Sequence, residues 1–438
     1  MFNGLKDSGR RIGRLFSHLI PSRYRQDPAV RRSIYKWLLI GLLIRFIFMP
    51  IASHLDLLSV YQRSSLVASG RVLWLGIGQT FVHYVHALFL LIFRPLMPYL
   101  ETMLPAMTGS ANWSIWELFV ISPNVFRTLF LFKVPYLIFD LGCAFLLLAI
   151  FLKRRKGLVA LKFWMLNPVV IFAAFIFSRY EPIAIFFILL SLYYARKNLL
   201  VKSLFSLGVA VVTRLYPLIL LPFFVIILGK GLRQRLKLAF WGLLPLGIMI
   251  ALSKLFYGVS GVESLAKSYH ASYLMSLRFP LGVAYDVIFV FFAGYTVLFL
   301  YAYFNTDHSF VNLWKSILCV LLFFFATSFF HPQYFMWLIP FLTLQVVEDK
   351  KFIGLFAIQI LCWVVYSFQW EEALFGRLFL SLNPSYFMSL PSPFEIINQY
   401  YSAANFIGIF RSIFTGTCFW MIYLIFKGSF LGKKKEAV

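Results

Sequence analysis

Acidic charge is the scarcest resource of this 438-residue chain: 16 Asp and Glu stand against 41 Lys and Arg, and all charged residues together make up only 13%. With 61% hydrophobic residues and a mean hydropathy of +0.82, this composition excludes a soluble globular surface. No long stretch lacks apolar runs, which leaves no room for a sizeable water-soluble domain. Cysteine is scarce as well. Cys143, Cys319, Cys362 and Cys418 all sit in apolar runs, which speaks against a disulfide framework and against a zinc site. A Walker motif and a glycine-rich nucleotide fingerprint are both missing, which excludes an ATP-driven pump and removes the usual nucleotide grip. The first apolar run, from Ile34, has no small-residue cleavage site behind it and predicts a retained span, not a signal peptide.

What is present is a theme of long apolar runs broken by polar, proline-containing knots. Leu158 to Ala195 is broken at Ser178-Arg179-Tyr180-Glu181-Pro182, Leu199 to Leu228 at Arg214-Leu215-Tyr216-Pro217, and Ile317 to Val347 at His331-Pro332-Gln333-Tyr334. A single crossing needs about 20 apolar residues. Each run is too long for one crossing and short for two, so each predicts a helical hairpin with its tip near the bilayer edge. Irregular backbone at that depth is tolerated only where it is buried in protein or lines a wet cavity. The Arg, Glu and His of the knots are costly in lipid and mark functional candidates.

The net charge of +25 raises the possibility of a nucleic-acid partner, but positive-inside sorting accounts for it better. The basic N-terminal segment (1–33), Lys153-Arg154-Arg155-Lys156, Arg196-Lys197, Lys230 to Lys237, Lys350-Lys351 and the tail (427–438) all fall on one side of an alternating threading. The expected fold class is therefore an all-α polytopic membrane protein. It has one transmembrane domain (34–426), about twelve spans including short paired helices, and both termini cytoplasmic. The long first outer loop (54–126) contains Phe81 to Leu100, an apolar stretch interrupted by His83, His86, Arg94, Pro95 and Pro98. It predicts helices lying in the interface.

On the outer face, Asp56 follows the first span and is placed to serve as a general base, or else as a solvated loop residue. Glu181 sits in the first knot, where an ion pair with Arg179 or Arg214 that closes the hairpin tip is an equal alternative. Asp140 lies seven residues after Lys133 on one helix face, which suggests a structural pair or partners on neighbouring helices. Arg45 inside the first span, with Arg179, Arg214 and His331 in the knots, forms a set of cations suited to a lipid-linked phosphate. Snorkelling explains Arg63, Arg71 or Arg127 but explains a cation in every knot less well. His83 and His86 share a helix face, yet no carboxylate or cysteine nearby completes a metal set.

Five ordered stretches between about residues 34 and 347 carry a family likeness. They are Arg45 followed by Asp56 and Tyr61; LFLFKVPYLIFDLGCAFLL, with Lys133, Pro135 and Asp140; LNPVVIFAAFIFSRYEPIAIFF; TRLYPLILLP, with Arg214 and Tyr216; and FFHPQYFMWLIPFL, with His331, Gln333, Tyr334 and Trp337. In these the chain resembles the polytopic C-type glycosyltransferases, and in particular the polyprenyl-phosphate-mannose-dependent mannosyltransferases. It departs from them where Ser178-Arg179-Tyr180-Glu181 stands for Gly-Gln-Tyr-Asp and where Arg214 stands for Lys. The fork of Arg is not equivalent to the point charge of Lys, so these departures bear on sugar and acceptor.

The resemblance implies a membrane enzyme that moves a hexose, mannose foremost, from a polyprenyl-phosphate sugar to a lipid-linked, glycan or protein acceptor, with inversion. Asp56 would be the catalytic base. Arg45, Arg179, Glu181, Arg214, Tyr216, His331, Gln333 and Tyr334 would bind donor phosphate or substrate. A phosphate departs as a stable anion, so the scheme requires no metal or other cofactor. Its partners are the lipid substrates and the bilayer, with no nucleic acid. The implied location is a bacterial or archaeal plasma membrane, or an ER membrane in a eukaryote. A transporter or flippase of a lipid-linked sugar and a non-catalytic subunit of a membrane glycosylation complex remain alternatives.

Overall fold

The computed structural model describes residues 21–71, 76–97, 100, 113–266, 269–282, 286–305 and 307–435. They form helices α1 (Pro28–Ile51), α2 (Leu55–Ala68), α3 (Thr80–Phe93), α4 (Trp113–Val120), α5 (Val125–Ile150), α6 (Arg154–Met165) and α7 (Pro168–Ile171). There follow α8 (Glu181–Arg196), α9 (Leu200–Thr213), α10 (Leu221–Leu228), α11 (Leu232–Tyr257), α12 (Val290–Phe304), α13 (Phe310–Thr327), α14 (Ile339–Glu348), α15 (Lys351–Tyr366) and α16 (Ala403–Lys435). Among the described residues the fold is all-α apart from one small antiparallel hairpin, Arg278–Pro280 with Val287–Phe289.

Among the described residues, α1, α5, α11, α13, the α15 region (Lys351–Leu374) and α16 are each long and apolar enough to cross a bilayer. α6 with Pro168–Ile176, bent by 45°, makes a seventh candidate. Shorter apolar helices at Thr80–Leu96, Leu200–Thr213, Tyr216–Leu228, Val290–Phe304 and Ile339–Glu348 complete the bundle. The chain is therefore a helical protein with the build of an integral membrane protein. Apolar side chains such as Leu39, Leu43, Ile47, Leu255 and Trp420 are exposed on its flanks, as lipid-facing surfaces require.

Local chemistry sets the helix ends. α1 starts at Pro28, ahead of the apolar run, because Asp27 caps it: Oδ1 accepts from Ala29 N at 2.9 Å and Val30 N at 3.3 Å. Proline at the first positions of a helix loses no hydrogen bond. Pro182, Pro217 and Pro332 each restart the chain as a helical turn after a knot. Ahead of the first knot, α7 runs into a π-helical turn, Phe172–Ile176, and Ser178 takes φ +70°. The second and third breaks continue as 3₁₀ turns, Tyr216–Ile219 and Pro332–Trp337. All three runs thus break where the polar knots stand.

Charge is sorted by end. Asp27 pairs with Arg154 at 3.9 Å, and Lys156 pairs with Glu348. Arg23 donates to Leu148 O and Ala149 O, and Arg23 and Glu348 both act electrostatically on Arg196. Four basic segments distant in sequence therefore share one end of the bundle. The four cysteines are buried and unpaired.

This arrangement predicts that, in sealed membranes, Lys350→Cys and Ser385→Cys react with an impermeant thiol reagent from opposite sides, while the native cysteines stay silent. Labelling of both from one side would contradict the end-to-end sorting of charge.

Candidate functional site

The segment that joins α1 to α2 is held from three directions. Lys133 of α5 donates to Phe48 O at 3.2 Å, to Phe175 O at 3.0 Å and to Ala52 O. Ser53 N donates to Leu378 O at 2.8 Å, and His54 N to Phe177 O at 3.3 Å. Ser381 Oγ donates to Ile51 O at 2.7 Å. Asp56 is thus presented on the first turn of α2 by a segment clamped between the first knot and the loop after α15. That loop carried no motif, and its part in the site was not visible in the sequence. Its Glu371 takes φ +48°, ψ −134°.

Asp56 Oδ2 lies 3.0 Å from Arg179 Nη1 and 3.6 Å from His54 Nδ1. The Asp56 side chain is 34% exposed, Arg179 13% and His54 14%, whereas Glu181 is fully sealed. Of the two carboxylates singled out, only Asp56 meets solvent. Burial alone would raise its pKa, but the Arg179 guanidinium, aided by His54 and Arg214, overrides that and holds the carboxyl well below the usual range. The Arg179 pKa is raised: burial pulls it down, but Asp56, together with Tyr180 and Glu181, more than offsets that.

Behind this pair the three knots meet on one carboxylate. Glu181 Oε1 receives Arg214 Nη2, and Glu181 Oε2 receives Trp337 Nε1 at 2.8 Å. The Arg214 guanidinium lies 4.2 Å from the centre of the Tyr180 ring and 5.8 Å from that of Tyr334. Arg179 lies 5.1 Å from the same Tyr180 ring. Tyr216 stacks on Trp337 at 3.9 Å, and Tyr334 stacks on Trp337 at 4.2 Å. His331 is half-buried, shares a hydrogen bond with the Tyr273 hydroxyl at 3.2 Å and packs against Tyr334 and Trp370. Burial pushes its imidazole down to about 4, against an upward pull from Asp56.

In the knots, Arg179 Nε, the Tyr216 hydroxyl and Gln333 Oε1 are buried without a hydrogen-bond partner among the described residues. Orphaned atoms of this kind are costly unless water or a ligand meets them.

One sequence expectation changes, for Arg45, and another, for Lys133 and Asp140, resolves to partners on neighbouring segments. Arg45 is fully buried and faces Asp140, with Nε 2.6 Å from Oδ2 and Nη2 3.3 Å from Oδ1. Its Nη1 donates to Gly41 O and Met165 O, and Trp164 Nε1 donates to Asp140 Oδ1 at 2.9 Å. Arg45 therefore joins α1, α5 and α6 and has no free face for a phosphate. Lys133 and Asp140 share a face but not a bond, because each finds partners on other segments first. Arg214, held on Glu181 and only 3% exposed, stands behind the accessible Asp56–Arg179 pair. His83 bonds Ser64 Oγ and Val60 O, and His86 bonds Val82 O and the Tyr136 hydroxyl. Among the described residues, no three His, Cys, Asp or Glu gather as a metal site.

Comparison of the chain with protein-family models, with curated proteins and with solved structures finds no match in any of the three.

Removing one partner of a buried ion pair strands the other at a cost of about 3–5 kcal/mol. Asp140→Ala should therefore lower unfolding stability by about that amount, and Asp56→Ala, beside solvent, by far less. Equal losses in thermal or denaturant unfolding would contradict the assignment of Arg45 to structure. His331 gives a second expectation. Its folded-state pKa is about 4 against an ordinary 6.5, so protons favour the unfolded chain in that window. Stability falls as the pH drops from 6.5 to 4, and His331→Gln should make the fall shallower. An unchanged slope would assign the titration to His83 or His86 instead.

Proposed function

We propose that the protein is a polyprenyl-phosphate-sugar-dependent glycosyltransferase of the C type. It would transfer a hexose, mannose foremost, to a lipid-linked, glycan or protein acceptor with inversion. The observation that carries this is the division of labour between two carboxylates: Glu181 is sealed at the junction of the three knots, while Asp56, paired with Arg179, reaches solvent. The five motifs that resemble the mannosyltransferases supply the reaction class, and the geometry supports the roles within it. In a membrane the chain would make about twelve passes, with the basic end cytoplasmic and the knots on the outer face.

In this scheme the acceptor hydroxyl loses its proton to Asp56 as its oxygen forms the bond to the anomeric carbon. The bond from that carbon to the phosphate oxygen breaks on the opposite face, and the polyprenyl phosphate leaves as an anion. A carboxylate neutralised by an arginine is a weak base, because proton transfer follows basicity. A donor phosphate competing for Arg179 would loosen that pair and return basicity to Asp56 when substrate is present. In this reading His331 and the Tyr216 hydroxyl would bind the same phosphate or the sugar. Arg214 would act from behind, by holding Glu181 and adding positive potential.

Single-turnover transfer from a polyprenyl-phosphate hexose tests the scheme. Asp56→Asn should keep donor binding and lose about 10²–10⁴-fold in transfer. Arg179→Ala should weaken donor binding first, and Glu181→Gln should lower stability more than the chemical step. Full activity in Asp56→Asn would remove it as the base. A folded, donor-binding but inactive Glu181→Gln would move the role there.

A further inference from the structure

The opposite end of the bundle holds two adjoining hollows that the proposed reaction does not use. One has a volume of about 630 Å³ and lies between the α8–α9 turn, the α10–α11 turn and the start of α13; Arg196, Asn198, Lys230, Gln234 and His308 give it its polar wall. Among the described residues no carboxylate lines it. Glu348, which acts electrostatically on Arg196, is already bound by Lys156. Arg196 lies 5.0 Å from the centre of the Phe310 ring, and its Nε is buried with no hydrogen-bond partner among the described residues. His308 Nδ1 donates to Ile227 O at 2.8 Å, which turns the imidazole into a fixed part of the wall. The second hollow, of about 440 Å³, runs along α8 and α9 to Trp241 of α11. Apart from Lys202, in the first turn of α9, and Ser206, its wall is apolar or aromatic, including Phe187, Leu190, Phe205 and Val209. Val201 lines both hollows.

A cationic recess that continues into an apolar groove on a lipid-facing flank has the chemistry of an anionic phospholipid. The phosphate is matched by Arg196 and Lys230 and the acyl chain by the groove. Ordinary charge sorting accounts for basic loops at this end, but it does not call for a carboxylate-free hollow joined to an apolar channel. We infer that this protein binds one anionic phospholipid at the basic end, headgroup between Arg196 and Lys230 and one chain against α8, α9 and Trp241. The site is separate from the knots and does not depend on the reaction proposed for them.

Native mass spectrometry of the purified full chain, with phosphatidylglycerol or phosphatidylcholine added to the micelle, measures the binding. The wild type should retain one phosphatidylglycerol in preference to phosphatidylcholine. Arg196→Gln with Lys230→Gln should lose about tenfold or more in that retention, as expected when charge-assisted contacts are removed. Lys230→Gln alone changes an exposed side chain and keeps the test valid if the double variant is unstable. Lys350→Gln with Lys351→Gln, at the same end but outside the hollow, should retain the lipid. Phosphatidylglycerol brominated on its chains should quench wild-type tryptophan fluorescence more than that of Trp241→Phe. Retention in the Arg196/Lys230 variant, an equal loss in the Lys350/Lys351 control, or full displacement by free glycerol phosphate would overturn the proposal. The first two would assign the effect to general surface charge, the last to a soluble anion.

Discussion

The carboxylate of Glu181 is the point on which the knot end of the protein closes. One oxygen takes the guanidinium of Arg214 from the second knot, and the other takes the indole N–H of Trp337 from the third. Three helix breaks far apart in sequence are thereby fixed against each other without regular secondary structure between them. A buried charge is tolerable only when it is paired and hydrogen-bonded, and this one is engaged at both oxygens. The aromatic column of Tyr216, Trp337 and Tyr334 covers the pair and excludes water. Irregular backbone at the depth of a bilayer is tolerated only where it is buried in protein, and the Glu181 junction supplies that burial for the knots.

With the knots locked, the accessible chemistry lies one layer outward. Arg179 and Glu181 are neighbours in the first knot, yet they serve different carboxylate–arginine pairs, one sealed and one open. Tyr180 stands between them, with Arg179 and Arg214 both against its ring. Exposure, not residue type, separates the two acids. A second sealed pair, Arg45 with Asp140, performs the same structural task deeper in the bundle, where α1, α5 and α6 meet.

The two ends of the molecule solve different electrostatic problems. At the knot end, Arg214 is matched to Glu181 in a sealed setting and Arg179 to Asp56 in an open one. At the other end cations outnumber acids, and the excess is left to solvent and membrane surface, where charge costs little. The scarcity of acidic residues in the chain, 16 against 41 basic ones, is what makes this asymmetry possible.

Much of this was legible in the amino-acid order. Long apolar runs dictate helices and a lipid-facing surface, and a polar knot with proline marks a break, because proline starts the next helical turn without losing a hydrogen bond, whereas Pro50, Pro135 and Pro245, outside any polar knot, stay inside continuous helices. The three breaks fell at residues 178–182, 214–217 and 331–334, where the knots stand. The grouping of basic segments at one end followed from loop charge. The pairing of charges was decided by the tertiary structure alone. Arg45, Arg179 and Arg214 look alike in the sequence, as cations beside apolar runs. Only packing sends Arg45 to Asp140, Arg214 to Glu181 and Arg179 to the half-open Asp56. The loop around Leu378 and Ser381 has no pattern that announces a role, because it acts through backbone atoms that every sequence shares. Hydrophobic periodicity is a property of neighbours along the chain, and it fixed the helices. Which buried charge meets which is a property of residues 33 and 95 positions apart, and it waits for the fold.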